Sequence, residues 1–424
     1  MAHNLKRFYW FRLLATSYLW FPVFFFFKIA RGLSPREVMA LAAVYSATVI
    51  LIEIPTGAFA DRIGRRVSMA IGALSMVVSC LFAYFAHSFA AFVVAEVFAA
   101  MSIALCSGAD SAYLFDLLKA GGRGAEYARR EGHASALHLA GSVVAFEAGG
   151  QLGAIDLGLP FLVNAGVALV AFLIALSMTD DAPVFAVPAQ SARQQSARQR
   201  WRSYRTLMSG AIRMVTQSSG LVWIIGFSAV CFMLLRATDY LYQPYLRALG
   251  FGVAETAHVL AVIQLIAAAI ALNVDRLRRI CGEALILWSM LATLAASFIL
   301  LNRFVGGWAL AILAVQAVVI GLYSPLVKPI INRQILDSSQ RATVLSIESI
   351  ARRATAGVFI PIIGLFGKES AIEICGLAAL LGLAILILAG AARPKETRLQ
   401  PIGDRVHPQS IGSVTGSVTG SVTD

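Results

Sequence analysis

The chain is 424 residues long, 58% hydrophobic and 14% charged, with a mean hydropathy of +0.76; so apolar a composition excludes a soluble protein of one or two domains and points to an integral membrane protein. The net charge is +12, but the cationic residues gather in alternate connections: Lys6 and Arg7, Arg62 to Arg66, Lys119 to Arg130, Arg193 to Arg213, Arg276 to Arg279, Arg333 and Arg341, and Arg393 onward. This positive-inside asymmetry predicts both termini in the cytoplasm, an even number of spans, and the lipid bilayer rather than nucleic acid as the partner.

Apolar runs of helical length fall near 8–30, 37–60, 67–86, 89–118, 132–154 and 158–178 in the first half. The first is dense in aromatics, Trp10, Trp20 and Phe24 to Phe27 among them, and reads as a retained span with an interfacial belt. Ser34-Pro35-Arg36-Glu37 supplies a cap and first turn for the second. Between the second and third lies a polar decapeptide, Gly57-Ala58-Phe59-Ala60-Asp61-Arg62-Ile63-Gly64-Arg65-Arg66. Gly57 and Gly64 suit close approach and a tight turn, and Asp61, Arg62, Arg65 and Arg66 can cap helix ends and pair with neighbours.

The fourth run carries Glu96 and Asp110, with Tyr113 one turn further on. Ionisable groups at this depth are costly and usually functional. On one continuous helix the two acids lie about 40° apart, so both can face one cavity, as a coupling or substrate site or as buried hydrogen-bonding groups. The fifth run holds Glu147 within a small-residue stretch from Gly141 to Gly150 that also suits close helix packing.

From residue 179 to 219 the composition turns polar and basic, and Trp201 to Thr216 has the spacing of an interfacial helix. The second half repeats the first, with runs near 219–246, 253–274, 281–302, 306–330, 342–366 and 370–391. The seventh run places Arg236 and Asp239 one turn apart, followed by Gln243 and Pro244; the pair can neutralise itself or take part in binding. After the eighth comes Asp275-Arg276-Leu277-Arg278-Arg279, a worn copy of the decapeptide. Lys328 lies toward the cytoplasmic end of the tenth run, where it can snorkel. Arg352 and Arg353, mid-way along the eleventh, point about 100° apart, so one can meet an anionic group or an acid of the first half. The tail from 393 to 424 ends in Gly-Ser-Val-Thr repeats and is expected to be disordered. Cys80, Cys106, Cys231, Cys281 and Cys375 have no paired spacing and read as small hydrophobes. No metal centre, cofactor, phosphate-binding loop or nucleophile with its base can be assembled, so an enzyme is not expected.

The decapeptide resembles the loop between the second and third helices of major facilitator superfamily transporters, Gly-x-Leu-Ala-Asp-Arg-x-Gly-Arg-Arg/Lys, with Phe59 as the departure. The resemblance implies an all-α membrane fold of twelve transmembrane helices in two pseudo-symmetric six-helix bundles: 1–178, a cytoplasmic linker 179–219, and 220–392. It implies that the loop aspartate sits against the start of the eleventh helix, near Arg341, and that a loop arginine meets an aspartate at the end of the fourth, here Asp116. Gly57, Asp61, Arg62, Gly64, Arg65, Arg66 and Asp116, with Asp275 and Arg276 in the copy, are then gating residues. The stretch Gly141 to Gly150 resembles the antiporter signature Gly-x-x-x-Gly-Pro-x-x-Gly-Gly, with Ala145 and Phe146 in place of Gly-Pro. Glu96 stands where drug exporters carry an arginine, so their arginine relay does not carry over.

The expectation is a monomeric, multi-pass inner-membrane secondary transporter of a small organic solute. Resemblance to bacterial efflux members implies export of a drug or secreted metabolite such as a siderophore, proton-coupled through Glu96, Asp110 or Glu147. Proton-coupled uptake of a small, possibly anionic solute is the alternative. A non-transporting sensor or scaffold would instead tolerate Asp61→Asn.

Overall fold

The computed structural model describes residues 2–179, 209–210, 212–303, 307–335 and 341–391, with the side chains of 2, 54–62, 128, 341–342 and 391 outside that description. The tail beyond 392 and most of the basic linker also lie outside it; residues 212–217 are helical. Among the described residues every regular element is helical.

The first half comprises α1 (Ala2–Ala15), α2 (Phe24–Ala30), α3 (Pro35–Ile63), α4 (Arg65–Phe85), α5 (Phe89–Cys106), α6 (Ala109–Ala120), α7 (Tyr127–Ile155) and α8 (Leu159–Ser177). The second comprises α9 (Ser219–Ala248), α10 (Val253–Leu272), α11 (Val274–Cys281), α12 (Glu283–Arg303), α13 (Gly307–Gln334), α14 (Arg341–Ile363) and α15 (Lys368–Ala391). Helix starts follow local chemistry. Ser34 Oγ accepts from the Glu37 N–H at 3.3 Å while the Glu37 carboxylate accepts from the Ser34 N–H at 2.8 Å, a reciprocal capping box. Ser88 and Ser218 cap α5 and α9 in the same sense.

Nine helical stretches among the described residues are long and apolar enough to cross a membrane, α5 and α6 forming one of them. The other long passages, α1 with α2, α7 and α14, fall short for identifiable reasons. The first is interrupted, α7 opens on Arg129, Arg130 and Glu131, and α14 carries Glu348, Arg352 and Arg353.

Two predicted runs are broken. After α1, the Thr16 and Ser17 hydroxyls donate back to the carbonyls of Arg12 and Leu13, and Pro22 follows; such side-chain bonds compete with helix continuation. The fourth run divides at Gly108, whose φ of 82° is a left-handed backbone that side chains disfavour. The 40° relation expected for Glu96 and Asp110 on a continuous helix therefore does not hold.

Within the first half α4 packs on α5 and α8, and α1 on α8 and α7; within the second, α12 packs on α15 and α9 on α14 and α15. The halves meet along α7 with α10 and α3 with α14. Gly150 makes the first seam possible, since an added methyl would lie 2.0 Å from the Ala257 Cβ; Gly149 lets the same helix close on the chain between α1 and α2, where a methyl would lie 1.9 Å from the Leu19 carbonyl oxygen. The stretch from Gly141 to Gly150 is thus a packing surface. The interruption after α1 lets one passage serve two cores, with Phe8 and Phe11 packed beside Tyr113 and Leu114, and Phe24 and Phe27 in the larger cluster with Tyr240 and Phe298.

One end of the bundle gathers the start of α1 and the ends of α6 and α8, where Thr179 accepts hydrogen bonds from Asn4 and from the Tyr113 hydroxyl. We call this the terminal end and the opposite one the far end.

Candidate functional site

A cavity of about 420 Å³ opens between the halves. The chain between α1 and α2 contributes Tyr18 and Phe21, and α7 contributes His138, Ser142 and Phe146; α9, α10, α13 and α14 supply the rest. The volume lies within the range of small-molecule sites, about 300–1000 Å³.

The charged lining comes from the second half. Arg236 and Asp239 pair at 2.5 Å along α9. On α14, Glu348 accepts a short hydrogen bond from Ser228, whose hydroxyl is also 2.8 Å from the Tyr323 hydroxyl. Arg352 sits one turn on from Glu348, with its Nε 3.6 Å from the carboxylate and its guanidinium 5.0 Å above the Phe232 ring. Lys328 also lines the cavity, on the stretch of α13 between Pro325 and Pro329, and has no hydrogen-bond or ion-pair partner among the described residues. Lys328 thus lies on the cavity wall, where the snorkelling reading had aimed it at the interface.

A second charged group lies in the first half, where Arg12 of α1 contacts Asp110 of α6 and stands 3.6 Å from Glu131 of α7. The Ser111 hydroxyl donates to Glu131 at 3.1 Å. Buried and without a hydrogen-bond partner here are the Arg12 Nε, one Glu131 oxygen and the His138 Nδ1, and His138 reaches the cavity wall. Two carboxylates therefore share one guanidinium in a largely buried setting.

The other sequence-predicted residues lie elsewhere. Glu96 pairs with Lys28 at 2.5 Å, the ammonium lying 5.3 Å from the Phe24 ring centroid. Glu147 is exposed on the α7–α10 seam and contacts His258 at 3.0 Å. Arg353 faces Glu53 of α3 at 3.5 Å, and Ser349 donates to the same carboxylate at 2.9 Å, so this group ties the halves together outside the cavity. Gln243 is fully buried, accepting from the Phe25 N–H at 3.0 Å and donating to the Phe21 carbonyl at 2.9 Å. Phe25 is the second residue of α2, so its N–H has no partner within that helix. Gln243 caps α2 from across the halves.

At the terminal end Arg65 lies 2.7 Å from Asp116, and Arg66 donates to the Met178 carbonyl at 2.8 Å. The pairing expected of a loop arginine with Asp116 is present, and Arg65 makes it. Gly64 takes φ 92° at the turn into α4. The side chains of Gly57, Asp61 and Arg62 lie outside the described ones, as do residues 336–340 before α14. In the copied loop, Asp275 is exposed and contacts Arg278 of its own helix, while Glu283 joins Arg278 to Arg333. Arg276 is exposed and has no side-chain hydrogen bond or ion pair among the described residues.

The sequence matches the Major Facilitator Superfamily over residues 9–361. The chain belongs to that superfamily. Solved structures of the superfamily fold align over nearly the whole chain. The nucleoside transporter NupG is 13% identical, with 92% of this chain and 99% of that one covered at a TM-score of 0.74. A D-xylose-proton symporter is 14% identical, covering 93% and 99% at 0.70. A bacterial homologue of the human lysosomal transporter Spinster, in an inward-facing and occupied conformation, is 14% identical, covering 94% and 98% at 0.73. No curated protein matches the sequence. At such identities the likeness is one of fold, and this superfamily member's solute must be argued from its own cavity.

Sequence reasoning missed Arg12, Glu131, His138 and Glu348. Arg12 and Glu131 lie close to the ends of apolar runs, where charge reads as interfacial. Glu348 has a usable signal, an acid one turn before Arg352 within a predicted span.

Proposed function

We propose that the chain is a proton-coupled secondary transporter of small organic solutes, working by alternating access as a twelve-pass monomer of the inner membrane with cytoplasmic termini. The observation that carries this reading is the cavity enclosed between the halves and closed toward the far end by Gln243 on α2 and by the α7–α10 seam. Arg353 with Glu53 is a contact across the halves that must rearrange for the other end to open, whereas Arg65 with Asp116 lies within the first half.

The proton site is the cluster of Asp110 and Glu131 about Arg12. With one more carboxylate than cation at membrane depth, a proton is the simplest group to balance it. Glu96 is already matched by Lys28. The cluster and the cavity are built from different side chains, so proton and solute need not compete for one carboxylate. That separation favours symport over the export expected from sequence resemblance, and a D-xylose-proton symporter shares the fold.

Energised vesicles in weakly buffered medium test this. A transported solute should alkalinise the medium on the side it leaves, and Asp110→Asn with Glu131→Gln should abolish the pH change. Acidification would establish exchange instead. Solute movement unaffected by collapsing the gradient and by both variants would remove proton coupling.

A further inference from the structure

We infer that the transported solute is an organic anion, a carboxylate or phosphate monoester on an apolar or aromatic body, with its oxyanion held by Lys328 and Arg352. This deepens the proposed function and rests on the cavity being the solute site.

The charge census of the lining carries the argument. Three cationic side chains, Arg236, Lys328 and Arg352, face two carboxylates, Asp239 and Glu348. Arg236 and Asp239 neutralise each other at 2.5 Å. The remainder is two cations around one carboxylate, and that carboxylate is already engaged by Ser228. Arg352 stands off from it at 3.6 Å, beyond hydrogen-bond reach, with its Nε buried and unsatisfied. Lys328 has no hydrogen-bond or ion-pair partner among the described residues, and the side-chain charges that act on it are those of Arg352 and Glu348 first, then the opposed pair Glu131 and Arg12 of the first half.

One positive charge beyond what the lining's own carboxylates balance is costly in a low-dielectric cavity when empty and favours an anion. A cationic solute would add to the imbalance, and a neutral one would leave it in place. Planar guanidinium beside ammonium suits an oxyanion, the arginine by a forked contact and the lysine as a point charge. The rest of the wall asks for an organic body. Phe21, Phe146, Phe232 and Ile263 are apolar, and Tyr242 and Tyr323 add aromatic rings.

The test uses the full-length protein purified in detergent, with thermal stability as the readout, since a ligand of the folded state stabilises it. The probes are matched sets of aromatic and aliphatic monocarboxylates, phosphate monoesters, amides and amines, led by benzoate, phenyl phosphate, benzamide and benzylamine, with inorganic phosphate alongside. Stabilising compounds should fall among the carboxylates or the phosphate monoesters, and which set responds distinguishes the two headgroups. Lys328→Met should weaken the responding anion by at least about 30-fold, while Lys328→Arg retains it. Neither variant should lower the probe-free melting temperature, because Lys328 makes no partner contact to lose and Lys328→Met removes a charge that is costly in the empty cavity. Stabilisation by amines or amides equal to that by anions, or an anion response unchanged in Lys328→Met, overturns the inference. Inorganic phosphate acting as well as phenyl phosphate overturns the organic body. A response to none of the sets counts against the cavity as the solute site, and so against the proposed function itself.

Discussion

Replacing Gln243 by leucine should open the far end. Leucine fills nearly the same volume but offers no hydrogen bond, so in the closed state the Phe25 N–H and the Phe21 carbonyl lose partners at 3.0 and 2.9 Å in a fully buried place. An unmade buried bond costs about 1–3 kcal/mol, so with two such bonds lost the closed state loses about 2–6 kcal/mol in all. When the far end parts, water reaches both backbone groups and the penalty vanishes; the substitution therefore acts on one conformation only. The shift corresponds to a factor of about 30 to 25,000 in the closed-to-open ratio. Phe24 still meets Tyr240 edge-on at a centroid distance of 5.3 Å, so the halves keep an apolar contact and the protein should remain folded. Spin labels at Ala30→Cys on α2 and Ala248→Cys on α9, with exposed Cys281 replaced, read the opening by pulsed electron resonance. A longer-distance population should grow at the expense of the short one. An unchanged distance distribution in Gln243→Leu would refute the capping argument.

The other expectations are equally direct. Gly150→Ala drives a methyl to 2.0 Å from the Ala257 Cβ; it should cost the closed state about 1–3 kcal/mol, seen with the same labels, whereas Gly166→Ala, with nothing within 4 Å, should melt at or slightly above the parent temperature. Arg12→Met strands Asp110 and Glu131, whose side chains are 10% and 25% exposed; a loss of about 3–5 kcal/mol in unfolding free energy is expected, and adding Asp110→Asn should recover most of it, so failure of the double variant to recover stability would deny the pairing. In the connection before α7, Arg123 foremost, with Arg130 and Arg129, holds the Glu126 carboxyl down to about 2. A depressed carboxyl contributes stability above its unfolded value near 4.5, lost as pH falls toward 2; protection factors against amide exchange at residues 123–130, taken relative to the intrinsic rate at each pH, should fall across that window in the parent and not in Glu126→Gln.

The membrane class and the superfamily were legible because both are written in short-range patterns: apolar runs of spanning length, basic residues in alternate connections, and a decapeptide whose Arg65 does reach Asp116. The site was less legible because burial and pairing are tertiary. Glu96, Asp110 and Glu147 look alike in sequence, as acids within apolar runs. The fold gives the first a lysine from α2, the second an arginine shared with Glu131, and the third an exposed place beside His258. Helical geometry could not foresee this, since it assumed an unbroken fourth run and Gly108 breaks it. Arg352 and Arg353 show the opposite case: their divergence by about 100° sent one to the cavity and the other to Glu53.

The two charge imbalances have opposite signs and lie on opposite halves, and this bears on coupling. The first half holds two carboxylates about Arg12; the second holds Lys328 and Arg352 about Glu348. Empty, the carrier keeps both imbalances, and each partly compensates the other across the cavity. Binding an anion alone satisfies the second half but leaves the acids with no positive charge opposite them. Taking up a proton alone leaves the cations exposed in the same way. Only double loading neutralises both, so the fully empty and fully loaded carriers have the least charge to move through the bilayer core. Tight coupling in this scheme arises from electrostatics between separate sites rather than from competition at one, and it requires Lys328→Met to weaken the dependence of solute movement on the proton gradient as well as solute binding.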